Sequence, residues 1–251
     1  MVKPYELHEQ VYRSMHADGV KSWMQRHHPE EVDADHLAFL EDVRSQPFIP
    51  RHGSVLEIGC GSAPLLRWFE KQGHVGMGID VSRTAVSMAK EQSSGLPLTF
   101  RVADICTLDP TKFPQFDICV DGQCFHCIIR ESDRRSMLVN VRSIMKHGGI
   151  FILLTMCSPI DKDGFRALYP AQKVTGNKIY VPFQGCDEIE GALKLGEKNY
   201  FPTRSVPHWT NILKELRQAG FMVQMMRLRR CSREEVCSSL LVCATAAHPA
   251  T

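Results

Sequence analysis

Over residues 5–46 the apolar positions fall on helical stripes: Leu7, Val11 and Met15, then Val20, Trp23 and Met24. A charged stretch with Pro29 interrupts the pattern, and His36-Leu37-Ala38-Phe39-Leu40 resumes it before Pro47 and Pro50. From Ser54 the period changes. Short apolar runs at residues 55–58, 75–79, 98–102, 116–120 and 150–155 predict strands, each separated by an amphipathic segment. One predicted helix carries Leu65, Trp68 and Phe69 and closes at Gly73; another starts at Ser82 and carries Ala85, Val86 and Ala89. A third carries Met137, Leu138, Val141 and Ile144 and stops at Gly148-Gly149. Strands alternating with helices imply a doubly wound α/β fold, mostly parallel, with helices on both faces.

Residues 157–206 break this rhythm with Gly, Pro, Lys and Asp, leaving one short strand expected at 179–183. A segment that long between strand and helix is uncommon unless it covers a site. A helix over 209–219, ended by Gly220, then leads into strands at 221–228 and 239–244, expected to pair as an antiparallel hairpin. The expected organisation is an N-terminal helical arm or lid (1–50), an α/β domain (51–156 and 207–251) and an insertion (157–206) covering the site.

Composition narrows the classes. With 251 residues, 43% hydrophobic and 23% charged, the chain is too apolar for disorder and suits one large domain. A net charge of +2 provides no global field for nucleic acid or an acidic membrane. The longest apolar run, 150–156, is strand-sized, so no membrane span is expected. The start lacks a signal-peptide run, which makes the cytoplasm the expected compartment and reduced thiols the expected state of the ten cysteines. Cys119 and Cys243 sit in apolar runs as core filling, and no CxxC pair has zinc-site spacing.

The chemistry concentrates at strand ends. Glu57-Ile58-Gly59-Cys60-Gly61-Ser62 follows the first strand and opens a helix, where glycines let the backbone turn sharply and a ligand approach closely. Asp80, nineteen residues beyond Gly61, ends the second strand, where a carboxylate can accept both hydroxyls of a ribose. Asp104 ends the third, where its oxygen can take the amine of an adenine. A dinucleotide fingerprint wants a third glycine three residues after the second; that place holds Pro64.

Together these segments resemble the class I S-adenosylmethionine-dependent methyltransferases. The family's first motif is similar to Val55-Leu56-Glu57-Ile58-Gly59-Cys60-Gly61-Ser62 and its second to Gly78-Ile79-Asp80-Val81-Ser82. Its third resembles Ala103-Asp104-Ile105 and its fourth Phe116-Asp117-Ile118-Cys119-Val120-Asp121. Lys146-His147-Gly148-Gly149 is similar to the usual Lys-Pro-Gly-Gly, and Tyr200-Phe201-Pro202-Thr203 with Leu213, Leu216 and Ala219-Gly220-Phe221 to the last helix and strand. The likeness covers residues 50–155 and 200–245. It implies a seven-stranded Rossmann-like sheet with the final strand antiparallel, and transfer of a methyl group from S-adenosyl-L-methionine with release of S-adenosyl-L-homocysteine.

Carried over by position, Gly59, Cys60 and Gly61 border the methionine part of the donor and Glu57 orders their loop. Asp80, with Val81 beside it, binds the ribose, and Asp104 and Ile105 meet the adenine. Asp121, Gly122 and Gln123 lie beside the sulfonium and the acceptor. In Gln123-Cys124-Phe125-His126-Cys127, His126 is open to three roles: general base, orienting group, or ligand to a soft metal with Cys124 and Cys127. No fourth ligand is evident, and no metal is expected. Tyr12, Trp23, His27 and His28 in the arm, and Tyr169, Tyr180, Arg204 and His208 later, are candidates to line the acceptor pocket. The Arg227–Arg230 cluster fits a solvated strand end.

The expected activity is methylation of N, O or S on a small-molecule acceptor by in-line displacement. Rival readings are methylation of a protein or RNA, a nicotinamide-dependent oxidoreductase, and a non-catalytic nucleoside-binding regulator. The fourth-strand loop has no Asn/Asp-Pro-Pro-Tyr-type motif, so DNA is not the expected acceptor. The oligomeric state is not legible.

Overall fold

The computed structural model describes residues 1–26, 31–158, 171–183, 188–229 and 238–246. Its body is a seven-stranded sheet. In chain order the strands are β1 (Ser54–Ile58), β2 (Val75–Asp80), β3 (Leu98–Val102), β4 (Phe116–Gly122), β5 (Met145–Cys157), β10 (Phe221–Arg229) and β11 (Ser238–Ala246), the labels between belonging to a second sheet. The spatial order is β10-β11-β5-β4-β1-β2-β3, and β11 alone runs antiparallel, against both β5 and β10. The strand order reverses between β1 and β4, which opens a crevice at their carboxyl ends.

Side-chain alternation builds two cores. Leu56, Ile58, Cys119, Phe151, Leu153 and Val242 face one way, onto α5 (Glu131–Ile144) and α6 (Trp209–Gln218). Val55, Ile118, Val120, Ile152 and Leu241 face the other way, onto α2 (Ala34–Arg44) and α3 (Pro64–Lys71). Buried on both faces, β1, β4 and β5 read as continuous apolar runs. Cys119 and Cys243 are fully buried here.

The predicted end of α5 shifts. The helix stops at Ile144, and β5 begins at Met145, which pairs with Phe116 before Gly148 turns at φ +73° and the register slips. Those glycines therefore shape a kinked strand entry.

The arm holds two helices, α1 (His8–Ala17) and α2, in keeping with the interrupted apolar pattern. Tyr12 and Met15 of α1 pack on Ala85 and Met88 of α4 (Arg83–Gln92), whose Ser82 cap accepts the Ala85 N–H as expected. Arg227 and Arg229 are not a free basic end. They pair with Asp42 and with Asp33 and Asp35, holding α2 against β10; Arg230 lies outside the described residues.

The insertion has more order than its sequence suggested. Four strands, β6 (Lys173–Thr175), β7 (Lys178–Phe183), β8 (Leu193–Leu195) and β9 (Lys198–Ser205), form an antiparallel sheet in the order β6-β7-β9-β8. Val2 bridges to Ile189, and the Arg130–Glu190 ion pair ties the same segment to the start of α5. No helix among the described residues is long and apolar enough to cross a membrane.

Candidate active site

The three strand ends form one hydrogen-bonded unit. Gly59 and Gly61 sit at φ +61° and +54°, a region glycine enters without a Cβ penalty. A Cβ on Gly59 would lie 2.6 Å from that of Cys124, and one on Gly61 2.5 Å from the Tyr12 hydroxyl. Ala63 (φ +61°) caps α3, and Pro64 occupies its first turn, where a missing N–H costs nothing. Asp80 ties two loops together: Oδ2 accepts the Gly61 N–H at 2.9 Å and Oδ1 the Ser82 N–H at 2.8 Å. Burial nevertheless raises its pKa. Asp104 Oδ1 accepts the Cys106 N–H, while Oδ2 accepts the Tyr5 hydroxyl at 2.9 Å and lies 3.7 Å from the Lys3 ammonium.

Glu57 alternates to the α3 side of β1. There it accepts the Leu66 N–H at 2.9 Å, and burial pushes its pKa up to about 8. It thus anchors the first turn of the helix that the glycine loop opens.

Below these groups lies a cavity of about 450 Å3, within the range of roughly 300–1,000 Å3 usual for small-molecule sites. Glu57, Gly59, Cys60 and Gly61 from the first loop line it, as do Asp80 and Val81 from the second and Asp104 and Ile105 from the third. Gly122, Gln123, Cys124 and His126 add the fourth, and Tyr12, Trp23 and Arg204 come from the arm and β9.

Three expected residues stand elsewhere. Asp121 follows Cys119 onto the α5/α6 face by strand alternation and is fully buried. Its Oδ1 accepts the Cys124 N–H, so it shapes the loop from behind instead of lining the cavity. Desolvation lifts its pKa to about 7. Tyr180 is buried in the small sheet, outside the cavity wall. His208 sits at the entry to α6, also off the wall. His27, His28 and Tyr169 lie outside the described residues.

The loop after β4 carries strain and a fixed tautomer. Gln123 adopts φ +89°, unusual for a residue with a Cβ, and its amide lies 3.2 Å from the His36 ring. His126 is buried, and its Nδ1 accepts the Met156 N–H at 3.3 Å. A ring nitrogen that accepts a backbone N–H carries no proton, so neutral His126 holds its hydrogen on Nε2. Burial first, then Arg204, His8 and His36, drive its pKa well below the usual histidine value. The cysteines of the wall are protonated thiols: burial raises Cys60, Cys106, Cys124 and Cys127 alike. Among the described residues no group of three or more His, Cys, Asp or Glu side chains is arranged to hold a metal ion.

Tyr5, His8, His36 and Cys106, which are not among the sequence candidates, also line the cavity. A signal existed for the first two. Tyr5, His8 and Tyr12 recur at helical spacing, so one face of the arm presents all three rings.

Comparisons with known proteins match this architecture. Residues 56–153 fit a family model described as a methyltransferase domain. Over 189 residues the chain is 26% identical to the 2-heptyl-1-hydroxyquinolin-4(1H)-one methyltransferase of Mycobacteroides abscessus, covering 70% of this chain and 80% of that one. It is 30% identical over 117 residues to an uncharacterized methyltransferase of Schizosaccharomyces pombe, covering 46% of this chain and 79% of that protein. The solved 1,6-didemethyltoxoflavin-N1-methyltransferase of Burkholderia thailandensis superposes with a TM-score of 0.62 at 17% identity, over 99% of this chain and 92% of that one. Strand order, glycine loop and sequence likeness agree, and this chain belongs to the class I S-adenosylmethionine-dependent methyltransferases.

Proposed function

We propose that this methyltransferase acts on a small molecule held in the 450 Å3 cavity beneath the N-terminal arm and the second sheet. The observation that carries this reading is the cover. Tyr12 and Trp23 from the arm and Arg204 from the insertion share one wall with the loops at the sheet edge. A concave site of this volume, covered from two sides, suits a small molecule, whereas a protein or RNA strand is served by a flatter surface. A cytoplasmic setting, where thiols stay reduced, belongs to the same proposal; Cys60, Cys106, Cys119, Cys124, Cys127 and Cys243 are free thiols.

The residues present suit the donor. Ser62 in the glycine loop keeps a buried hydroxyl without a partner among the described residues, and Gly59 and Gly61 let the loop pass close against Cys124 and Tyr12, which share the cavity wall. In this reading Asp80 holds the ribose and Asp104 with Ile105 the adenine, while Gly59, Cys60 and Gly61 border the methionine part. When bound, S-adenosyl-L-methionine supplies a methyl group already activated on a sulfonium, so alignment matters more than a strong base. His126 fits that requirement as an orienting donor. Its one basic nitrogen is engaged by Met156, and its Nε2 hydrogen is left for an acceptor atom. Tyr12 and Trp23 exclude water from the site.

The test is a labelled-methyl incubation with a cell extract split by size. Label in the low-mass fraction is the expected result. Label in protein or RNA would overturn the small-molecule reading, and donor binding without any labelled product would make the chain a regulator.

A further inference from the structure

Arg204 is the one cation of the cavity wall whose charge nothing described in the chain answers. It stands on β9, half-buried, with its guanidinium 5.9 Å from the centroid of the Trp23 ring. Nη1 donates to the Thr203 carbonyl at 2.7 Å and lies 3.5 Å from His8 Nε2. Nε and Nη2 have no partner among the described residues. That edge of a guanidinium grips a carboxylate through two parallel hydrogen bonds.

The cavity's own carboxylates are committed elsewhere. Asp80 is held by the Gly61 and Ser82 amides, Asp104 by Tyr5, Cys106 and Lys3, and Glu57 by Leu66. Glu31 pairs with Arg67, and Asp33 with Arg229. Around Arg204 the histidines of the wall are neutral, and Arg26, over the same Trp23 ring at 5.0 Å, adds a second positive charge. His8 accepts from Nη1 and stays uncharged, its pKa driven to about 3 by burial and by Arg204 and Arg26. His126 offers an N–H and no free lone pair. With the carboxylates of the wall already paired, Arg204 faces no anion among the described residues. A half-buried cation in such a wall is stabilised by an anion it can bind, and is costly without one.

We propose that the methyl acceptor is a small organic anion, and that Arg204 recognises its carboxylate-type group and sets its orientation toward the sheet edge. This rests on the small-molecule reading above. The donor's own carboxylate has the same chemistry, so the experiment must separate the two sources.

The probe is a panel of monocyclic and bicyclic aromatic carboxylates, each paired with its neutral primary carboxamide. Each is titrated into protein saturated with S-adenosyl-L-homocysteine and followed by thermal shift and calorimetry. Acids are expected to bind at least tenfold more tightly than their amides. R204M should erase that preference while leaving S-adenosyl-L-homocysteine affinity within about twofold, and R204K should retain part of it. Unaltered product affinity in R204M also shows that the variant is folded. A panel in which no acid binds, in which amides bind as well as acids, or in which R204M keeps the preference would overturn the inference. So would a tenfold loss of S-adenosyl-L-homocysteine affinity in R204M, which would assign Arg204 to the donor. The size-fractionated labelling reports separately: a macromolecular product overturns the small-molecule reading, whereas a small neutral product overturns only the anion.

Discussion

Asp80 shows how one side chain can serve geometry and binding together. Its two oxygens hold the amides of Gly61 and Ser82, so the carboxylate fixes both loops it is proposed to share with the ribose. Hydrogen bonds to a charged group contribute about 1.5–3 kcal/mol. Asp80→Ala is expected to weaken S-adenosyl-L-homocysteine binding roughly 10- to 150-fold by calorimetry. Glu57 carries a different signature. Folding moves its pKa from near 4.5 to about 8, so the folded chain binds the extra proton between those values. Stability then falls as pH rises through that window, because ionising Glu57 in its buried place is unfavourable. Glu57→Gln stays neutral while keeping an oxygen for Leu66. In donor-free protein its melting temperature should gain on that of the wild type as pH is raised from about 5 to about 8.

Among the elements, α1 matters most to the site, and a single carboxylate docks it. Glu9 accepts the Ser82 hydroxyl at 2.7 Å, the Thr84 hydroxyl at 2.8 Å and the Thr84 N–H at 3.2 Å, which places it over the first turn of α4. Burial would raise its pKa; the bonds from Ser82, Thr84 and Arg13 outweigh that and hold it near 2. Its contribution is therefore intact at neutral pH and lost as acid is approached. Glu9→Ala should cost about 0.5–2 kcal/mol in urea unfolding, the range for a lost helix cap. It should also speed proteolytic cleavage of the arm. Helix α1 brings Tyr12 to the glycine loop, so loosening it should weaken donor binding without touching any strand.

At the scale of the molecule, the cavity exists because three distant stretches converge: the arm, the sheet edge and the insertion. Arg134 is the joint between the last two. Only 2% exposed, it makes a two-pronged ion pair with Glu215 of α6 at 2.8 and 3.0 Å. Its Nη1 reaches the Ile128 and Ile129 carbonyls and Ser205 at the end of β9. Removing one partner of a buried pair strands the other, at about 3–5 kcal/mol. Arg134→Met should show that loss in denaturant unfolding, and Arg134→Met with Glu215→Gln should recover part of it. The same substitution should disturb β9, and with it Arg204.

The central strands of the sheet, β1, β4, β5 and β11, could be read in the chain because they are buried on both faces. A run such as 150–155 has no polar alternation to hide it, and Gly73 and Ser82 mark helix ends through local backbone chemistry alone. The strands of the insertion could not be read in the same way. β6 and β8 are short, largely exposed and rich in lysine, and they are defined by pairing rather than by burial. Local sequence thus determined the α/β class, the glycine loop and the strand-end acids, all of which depend on neighbours within a few residues. Only the tertiary structure decided that Tyr5 would reach Asp104 across 99 positions and Arg204 meet His8 across 196. It also decided that Asp121 turns away and that His126 keeps its proton on Nε2. Such outcomes depend on which surfaces close on which, and no local pattern encodes that.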